Sequence, residues 1–584
     1  MRLLKPPSLD YTVFELIQDR RRNVLLSTCL ACALLFILYT SLATVNSPTV
    51  RYGSQTPPPS SSSASQTHSN PLPTNDTVPN FWPTFYTALL EATPRVSLPD
   101  KSIQSRPPRH IPFTVTTQER QDLVRLHAEQ EAELKDAHTY FVACISSPEF
   151  PKPHFIPGSA GIVTSAGGKY WAQALVAIRM LRRTGCKLPV DVYLASPEED
   201  EGNICTAVLP ALNARCRVLS TLIDEATGGQ HRLTVTHFAI KPFALLLSEF
   251  DNTLWLDSDN IALVDPTSFL DSPVLQQTGL VTWPDYWAET ISPVYFRVAG
   301  IEGDRVPPST LLPTSESGQL LVSKSANEGM GLKALLLAAY YNFHGPEHYY
   351  LLIDQGAWGS GDKDTYAAAA MALEAPHWAI KTPLQTVGWW GMERNAEGDE
   401  EEVFHAEGIL QACPGVDFEM WGRAVGVGEG NETSGGGSRG SSWRDVDEEV
   451  KTRYNVTAFS FAKPLDRLSD ARLYFDRVPS AFLHAQQYKP DAGQLSQKWR
   501  GKTPRRMWTP HEVMEEAFGF DVERVVWEEI VWTACGEELD GHVFESWNWY
   551  EGEGEKKEGR KVDGGKVCER VRGIYGELFG EVEG

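Results

Sequence analysis

The sequence lacks several features, and each absence argues against a class of protein. No basic stripe with interleaved aromatic residues occurs in a chain whose 76 acidic and 53 basic residues give a net charge of -23, which argues against a nucleic-acid partner. No C-x-x-C occurs beyond residue 45, so neither a zinc ribbon nor a thioredoxin-like site is predicted. We also find no internal repeat. What is present is an acidic chain of 584 residues, long enough for two average domains or one large domain.

The N-terminal residues predict a membrane anchor. Residues 24–45 form an uncharged apolar run that is long enough to span a bilayer. Residues 20–22 are all arginine, and only Arg51 follows the run closely, which predicts a cytosolic tail at 1–23 and a lumenal body. A cleaved signal peptide is the alternative, although its apolar core usually has only about 7–15 residues. Residues 46–112 are rich in Pro, Ser and Thr and predict an extended stalk.

The rest of the chain predicts one large lumenal domain over residues 113–550. A glycine-rich stretch at 426–442 is expected to be a flexible insertion, and residues 551–584 form a charged, glycine-rich C-terminal segment. An oxidising lumen favours disulfides. Proximity in sequence suggests the pairs Cys205–Cys216 and Cys535–Cys568. Sequons for N-glycosylation, which fit a lumenal body, lie at Asn75, Asn431 and Asn455.

The first part of the body predicts an α/β fold. A short apolar strand at 161–164 is followed by a glycine turn, a helix over 169–184 and a strand over 190–194. The helix carries Trp171, Leu175, Ile178 and Leu181 on one face, which predicts that this face points inward. Such a βαβ unit implies a parallel sheet with a ligand crevice at the carboxyl ends of its strands. Its turn does not carry G-x-G-x-x-G, which argues against a nicotinamide enzyme. A further helix over 242–250 leads into the next strand.

The most informative stretch is the apolar strand that ends in Asp257 and Asp259. Alternate side chains of a strand share a face, so the two carboxylates can converge where the strand ends. Two hard oxygen ligands suit a divalent cation that itself holds a diphosphate. The tripeptide D-x-D recurs by chance in acidic chains, so the rest of the sequence has to show whether these two aspartates form a metal site.

Two later clusters carry polar groups next to apolar or aromatic residues. Asp285 lies in Trp283-Pro284-Asp285-Tyr286-Trp287, where rings could stack on a sugar and the carboxylate could bind its hydroxyls; a packed loop capped by Asp285 is the alternative. Glu316 and Gln319 lie just before an apolar run, so they either face a crevice or form a plain N-cap.

Two more clusters contain cationic groups. Asp362 and Lys363 precede a predicted helix, where acids commonly cap the helix and interact with its dipole. A lysine at that position could instead meet a phosphate. His484 follows an apolar pair and is either a structural histidine or a metal ligand.

Seven stretches, in this order, resemble the fungal α-mannosyltransferase family (glycosyltransferase family 71). They span roughly residues 161–489 and read GIVTSAGGKYWAQALVAIRMLRRTGCKLPV, KPFALLLSEFDNTLWLDSDNIALVDP, GLVTWPDYW, ESGQLLVSK, GDKDTY, ILQACP and FLHAQQYK. The resemblance implies a GT-A type fold with a mixed, mainly parallel sheet flanked by helices. It also implies a type II Golgi membrane enzyme that transfers mannose from GDP-mannose, with retention, to mannose chains of glycoproteins or related glycans. A complex with related Golgi transferases is a further expectation.

The same resemblance assigns roles to individual residues. Mn2+ or another divalent cation would be held by Asp257, Asp259 and His484. Residues expected to bind the donor are Gly161, Thr164, Gly167, Tyr170, Lys241, Asp257, Gln319 and Lys363. Carboxylates expected to act in catalysis are Asp285, Glu316 and Asp362.

Two alternatives to this function stay open at this point. A transferase of the same fold that uses a UDP-sugar would share the D-x-D motif and the topology. A membrane-anchored glycan-binding protein without catalysis would use tryptophans as its sugar platform, among them Trp283, Trp287, Trp389 and Trp390. The linkage, α-1,2 or α-1,3, is not set by the sequence.

Overall fold

The structure is a computed structural model of the chain. It describes residues 81–98, 120–201, 203–227, 235, 237–307, 313–357, 359–394, 398–422, 478–536, 549–551, 560–562 and 564–580. The predicted anchor at 24–45, the sequons and the insertion at 426–442 lie outside this set. None of the helices within it combines the length and the apolar character that a membrane crossing needs.

Thirteen strands are present in the described residues. They are β1 (Ile156–Ser165), β2 (Val190–Leu194), β3 (Ala214–Val218), β4 (Phe250–Leu256), β5 (Asn260–Ala262), β6 (Leu280–Ala288), β7 (Pro313–Ser323), β8 (Trp378–Ala379), β9 (Gln385–Arg394), β10 (Glu400–Ala412), β11 (Ser480–His484), β12 (Trp549–Glu551) and β13 (Arg560–Val562).

The α-helices of the same residues lie before, between and after these strands. They are α1 (Phe81–Glu91), α2 (Ala128–Ser146), α3 (Trp171–Arg183), α4 (Leu209–Ala211), α5 (Leu219–Thr227), α6 (Ile240–Leu247), α7 (Thr267–Leu270), α8 (Pro273–Thr278), α9 (Pro293–Val298), α10 (Ala326–Phe343), α11 (Tyr350–Asp354), α12 (Thr365–Ala372), α13 (Pro414–Gly422), α14 (Ala492–Lys498), α15 (His511–Phe518), α16 (Val522–Cys535) and α17 (Gly564–Phe579).

The main sheet has seven strands in the order β3-β2-β1-β4-β7-β6-β8. Strands β3, β2, β1 and β4 are parallel to one another, β7 is antiparallel to both β4 and β6, and β8 is parallel to β6. Both faces of this sheet are covered, because Ile162 and Leu254 pack into one apolar cluster while their neighbours Val163 and Trp255 pack into another. The predicted α/β class with a mixed, mainly parallel sheet flanked by helices is confirmed.

A second sheet brings a distant part of the chain to the end of β4. It has the order β5-β11-β10-β9 with antiparallel pairs throughout. Strand β5 follows β4 after a three-residue turn, and β11 pairs with it so that His484 lies opposite Asn260. The junction of the two sheets therefore collects residues from positions near 257, 316 and 484.

The predicted βαβ unit is confirmed as β1, α3 and β2. The α3 residues predicted to face inward are all buried, namely Trp171, Leu175, Ile178 and Leu181. The helix predicted over 242–250 is α6 and ends earlier, because Phe250 already opens β4 and its N–H donates to the Ser248 hydroxyl at 3.2 Å.

The N-terminal part of the body corrects the predicted stalk. Residues 81–98, placed in the stalk at 46–112, contain α1, which buries Phe81, Trp82, Phe85 and Leu89 in the body. The Tyr340 hydroxyl donates to the Ala92 carbonyl at 2.9 Å, and His348 Nε2 lies 2.7 Å from the Val96 carbonyl. The Pro, Ser and Thr content of the wider segment hid apolar residues at the helical spacing of 81, 85 and 89.

Both predicted disulfides, Cys205–Cys216 and Cys535–Cys568, are present. The second one joins α17 to α16. Because Val567, Val571 and Tyr575 of α17 are buried in the same apolar cluster as α3, this helix belongs to the body. The boundary predicted at residue 550 therefore does not separate α17 from the body. The charged, glycine-rich composition of the residues before α17 obscured the apolar face of this helix.

Candidate active site

The two aspartates lie where the main sheet passes the chain to the second sheet. The Asp257 N–H donates to the Gly318 carbonyl of β7 at 2.8 Å, and the Asn260 N–H donates back to the Asp257 carbonyl at 3.0 Å. These bonds close a tight turn between β4 and β5. The turn directs both carboxylates to the carboxyl end of β4, as the alternation of the strand predicts.

His484 completes a group of three ligands. It is the last residue of β11, and its Nε2 lies 3.1 Å from Asp259 Oδ1. One ligand atom from each of Asp257, Asp259 and His484 lies within 4.8 Å of the others. Two carboxylates and one imidazole are ligands that Mn2+ and similar divalent cations accept, so the residues fit the predicted cation.

Neighbouring groups orient these three ligands. The Trp255 Nε1–H donates to Asp257 Oδ1 at 2.7 Å. His484 Nδ1 lies 3.2 Å from Glu316 Oε1, outside hydrogen-bond geometry. Residue 318 has to be glycine, because a Cβ there would lie 2.7 Å from His484 Nδ1. Such outer contacts fix the direction in which a ligand points.

Three lysines pair with the acidic residues of the site. Lys489 contacts Asp259. The buried Lys241 ammonium lies 3.2 Å from Asp257 and 3.0 Å from Asp362. These contacts balance the negative charge that the two aspartates of the turn bring together.

The third lysine serves a neighbouring carboxylate. Lys363 Nζ lies 2.9 Å from Asp285 Oδ2 and 3.3 Å from the Thr314 hydroxyl. Asp285 also accepts the Tyr286 N–H at 2.7 Å. Lys241 and Lys363 were expected to bind the donor, and both already have carboxylate partners. A phosphate of the donor would therefore compete with these carboxylates for the two lysines.

Burial and neighbouring charges together shift the pKa of each member of the triad. Burial alone would raise the pKa of Asp259, but Lys489 and His484 outweigh it and hold the pKa well below the ordinary value. For His484, burial acts in the opposite direction and would lower the pKa. The carboxylates of Glu316 and Asp259 outweigh burial and raise the pKa of His484 to about 10. Burial raises the pKa of Asp257 despite Lys241. Positive charge is therefore favoured next to Asp259.

The two segments for which a capped loop and an N-cap were the alternatives are strands in the structure. Trp283–Trp287 lies within β6, and Glu316–Gln319 lies within β7 rather than at a loop junction or an N-cap. Trp283 pairs with Glu316 in the register of these strands. Polar residues can occupy buried strands here because they satisfy one another: Glu316 Oε2 accepts the Gln486 amide at 2.9 Å.

The residues predicted to bind the donor fall into two groups. Thr164 lies near the end of β1, and Gly167 and Tyr170 follow in the loop at the carboxyl edge of the sheet, next to the end of β4. Gly167 has φ of 128°, and a Cβ there would lie 2.6 Å from the Glu199 carboxylate. Gly161 lies inside β1, opposite Thr253 of β4. Thr253 precedes Asp257 by four residues, which corresponds to about 13 Å along the strand.

Packing explains Gly161. A Cβ at this position would lie 2.3 Å from the Phe250 ring, so the glycine makes room for an aromatic side chain. The placement does not bring Gly161 to the aspartates. Gln319, by contrast, is fully buried in β7 and accepts a hydrogen bond from the Asn260 amide next to the turn.

Sequence reasoning missed three contributors to the site. Lys489 and Gln486 follow His484 in the quoted stretch FLHAQQYK, yet no role was assigned to them. Asn260 follows the D-x-D motif directly. Each of the three contacts a residue more than 50 positions away, with separations of 230, 170 and 59. Only their presence in the ordered stretches could have indicated them.

Comparisons with known proteins agree with the resemblance. Residues 159–312 and 304–412 match the model of a family described as "Mannosyltransferase putative". The chain is 35% identical over 303 residues to alpha-1,2-mannosyltransferase MNN21 of Candida albicans, covering 45% of each chain. It is 30% identical over 313 residues to alpha-1,2-mannosyltransferase MNN5 of Saccharomyces cerevisiae, covering 45% of this chain and 52% of that protein. The chain thus spans about half the length of these curated relatives.

Solved structures give a weaker comparison. The glycosyltransferase GlyE of Streptococcus pneumoniae is 14% identical with a TM-score of 0.24, covering 38% of this chain and 45% of that one. A TM-score this low carries no argument about the fold or the chemistry. The sequence relatives and the family match carry the identification. Residues 159–412, which contain the D-x-D turn and β7, match the mannosyltransferase family, and this region is a glycosyltransferase domain.

Proposed function

We propose that the chain transfers mannose from GDP-mannose to mannose chains of glycoproteins or related glycans, with retention of the α configuration. The observation that carries the proposal is the triad Asp257, Asp259 and His484, whose ligand atoms lie within 4.8 Å of one another. Two of these residues lie inside the segment that matches the mannosyltransferase family. The names of the relatives favour an α-1,2 linkage.

The fold type is part of the same proposal. Three parallel strands, β3, β2 and β1, lead to β4; the antiparallel β7 lies beside it with β6 next in order, and the D-x-D turn lies at the carboxyl end of β4. This arrangement supports the GT-A type, in which the nucleotide lies over the parallel strands and the acceptor over the later ones. Thr164, Gly167 and Tyr170 would then contact the nucleotide.

The residues of the site divide the chemical work between them. Asp257, Asp259 and His484 would hold Mn2+ or a similar cation, which supplies charge neutralisation on the departing diphosphate when bound. Glu316 faces His484 and accepts the Gly318 N–H at 2.8 Å and the Gln486 amide. Its oxygens are therefore engaged in positioning, which favours that role for Glu316 over direct attack on the sugar.

Two carboxylates remain as candidates for the sugar side. Retention needs either an enzyme nucleophile or attack on the same face guided by the leaving group. Asp285 is held by Lys363 at 2.9 Å, and Asp362 is held by Lys241 at 3.0 Å and by the Ser317 hydroxyl at 3.2 Å. Each would stabilise positive charge that develops on the sugar ring, and the lysine partner keeps each carboxylate in place.

The cellular setting completes the proposal. The apolar run at 24–45 after three arginines supports a single-pass type II anchor with a lumenal body. Two disulfides in the body support an oxidising compartment. We place the enzyme in the Golgi membrane, where mannosylated glycans serve as acceptors.

The test is transfer by the purified full chain with Mn2+. GDP-mannose, UDP-galactose and UDP-N-acetylglucosamine are offered separately with a short α-mannoside, and products are read by mass and linkage analysis. We expect one mannose to be added from GDP-mannose alone, and no transfer in Asp257→Ala or Asp259→Ala. Asp271→Ala, which changes an exposed aspartate, is the matched control and should retain transfer.

The alternatives give different results in the same assay. Transfer from a UDP-sugar, with none from GDP-mannose, would support the UDP-sugar enzyme. Glycan binding that is indifferent to a chelator, without any transfer, would support the non-catalytic protein. Wild-type transfer by either aspartate variant would refute the metal assignment.

A further inference from the structure

A polar cavity is lined in part by Lys489, the lysine that contacts Asp259 of the triad. Its volume is about 450 Å³, within the usual range of roughly 300–1,000 Å³ for small-molecule sites. The wall is formed by the segment that follows β11, from residue 487 to residue 502. Lys489 belongs both to this wall and to the contact with Asp259, so the cavity adjoins the proposed reaction centre.

The charge of the wall differs from the charge of the chain. Of the eight described residues that line the cavity, three are lysines, Lys489, Lys498 and Lys502, and none carries a carboxylate. The chain as a whole carries a net charge of -23. Three amides, from Gln487, Gln494 and Gln497, add hydrogen-bond donors to the same wall. A wall of ammonium and amide groups attracts an anion with several oxygens.

The described residues offer no acidic partner to two of the three lysines. Among the described residues, neither Lys498 nor Lys502 forms an ion pair, whereas Lys489 contacts Asp259. The Lys498 ammonium lies 4.8 Å over the Tyr488 ring, which holds it against the wall. The Lys502 N–H donates to the Trp499 carbonyl at 3.0 Å, which fixes the turn that carries Lys502. Within the described part of the chain, the charges of Lys498 and Lys502 are therefore not compensated by a carboxylate, and the two residues are held at the wall.

We propose that this cavity binds a phosphate-bearing group, with Lys498 and Lys502 as its anchors. Several ammonium groups in one cavity match a multiply charged phosphate or diphosphate better than a single carboxylate. The phosphate comes either from the diphosphate of the donor or from a phosphate carried by the acceptor. The inference stands on the charge and shape of the cavity and does not depend on which nucleotide sugar is the donor.

The experiment measures pyrophosphate binding to the full chain by calorimetry in the presence of EDTA, so that no metal contributes. The test variant is Lys498→Gln with Lys502→Gln. The control is Lys152→Gln with Lys333→Gln, which removes the same two charges from lysines outside the cavity. We expect the test variant to bind pyrophosphate at least tenfold more weakly than the wild type, and the control to stay within threefold. Circular dichroism and thermal unfolding check that both variants fold.

Two further arms distinguish the sources of the phosphate. Weaker binding of GDP with Mn2+ in the test variant would assign the cavity to the donor. Unchanged GDP binding, with a loss of mannose 6-phosphate binding but not of mannose binding, would assign it to the acceptor. The proposal is overturned if the wild type does not bind pyrophosphate, or if the control loses as much affinity as the test variant. These experiments measure binding and not transfer. A failure of the GDP-mannose transfer assay would therefore not decide whether the cavity binds phosphate.

Discussion

The contact between Lys489 and Asp259 predicts that removal of the lysine strengthens Mn2+ binding. A cation that takes Asp259 as a ligand has to replace the Lys489 ammonium, which contacts that carboxylate in the structure. A hydrogen bond between charged groups contributes about 1.5–3 kcal/mol, and 1.4 kcal/mol corresponds to tenfold in affinity. Lys489→Met should therefore bind Mn2+ about 10–100-fold more tightly than the wild type, although it removes a residue from the site.

The assay is an electron paramagnetic resonance titration of free Mn2+ against the full chain without nucleotide. Lys489→Arg keeps the positive charge and should stay close to the wild type. Lys152→Met removes an exposed lysine elsewhere and should not change the affinity. Unchanged or weaker Mn2+ binding in Lys489→Met would refute the competition and with it the placement of the cation at Asp259.

Three further predictions concern the body around the site. A chain that starts at residue 113 should unfold at a lower temperature than one that starts at residue 81, because it lacks the buried side chains of residues 81–98. Burial of each large apolar side chain contributes roughly 1.5–3 kcal/mol. Equal melting temperatures would instead support the prediction that these residues belong to a stalk. Gly161→Ala should destabilise the fold by about 1–3 kcal/mol through the Phe250 ring without changing the affinity for GDP and Mn2+, and a selective loss of nucleotide binding would contradict this. Burial raises the pKa of Glu523 to about 7 despite Arg506 and two backbone N–H donors, so the folded state binds this proton more tightly than the unfolded state and loses stability as pH rises from about 4.5 to 7. Glu523→Gln should therefore gain stability relative to the wild type across that window, by at most about 3 kcal/mol; a constant difference in denaturant titrations at pH 4.5 and pH 7.5 would contradict the buried assignment.

Local patterns predicted the parts of the site that depend on neighbouring residues. The alternation of the strand before Asp257 placed both aspartates at the end of β4, and the apolar spacing of α3 predicted its buried face. The disulfide between Cys205 and Cys216 joins residues only 11 positions apart, so proximity was enough to suggest it. His484 was assigned through the resemblance, because a single histidine after a strand gives no local sign of a ligand.

Pairing between distant polar residues was beyond local reasoning. Glu316 and Gln319 suggested a crevice or an N-cap because polar residues are rare in buried strands, yet within β7 they accept hydrogen bonds from Gln486 and Asn260, respectively. Lys489 meets Asp259 across 230 positions, and nothing in either local sequence indicates this contact. Composition averaged over a long segment misplaced α1, whose apolar face becomes evident only once the body covers it.

The most direct test of the central claim is pulsed electron paramagnetic resonance of the full chain loaded with one equivalent of Mn2+. The triad predicts one directly bound imidazole nitrogen, which disappears in His484→Gln. It also predicts at least a hundredfold loss of Mn2+ affinity in Asp259→Asn but not in Asp271→Asn. Tight Mn2+ binding without a nitrogen coupling, or wild-type affinity in Asp259→Asn, would contradict the assignment of the metal centre.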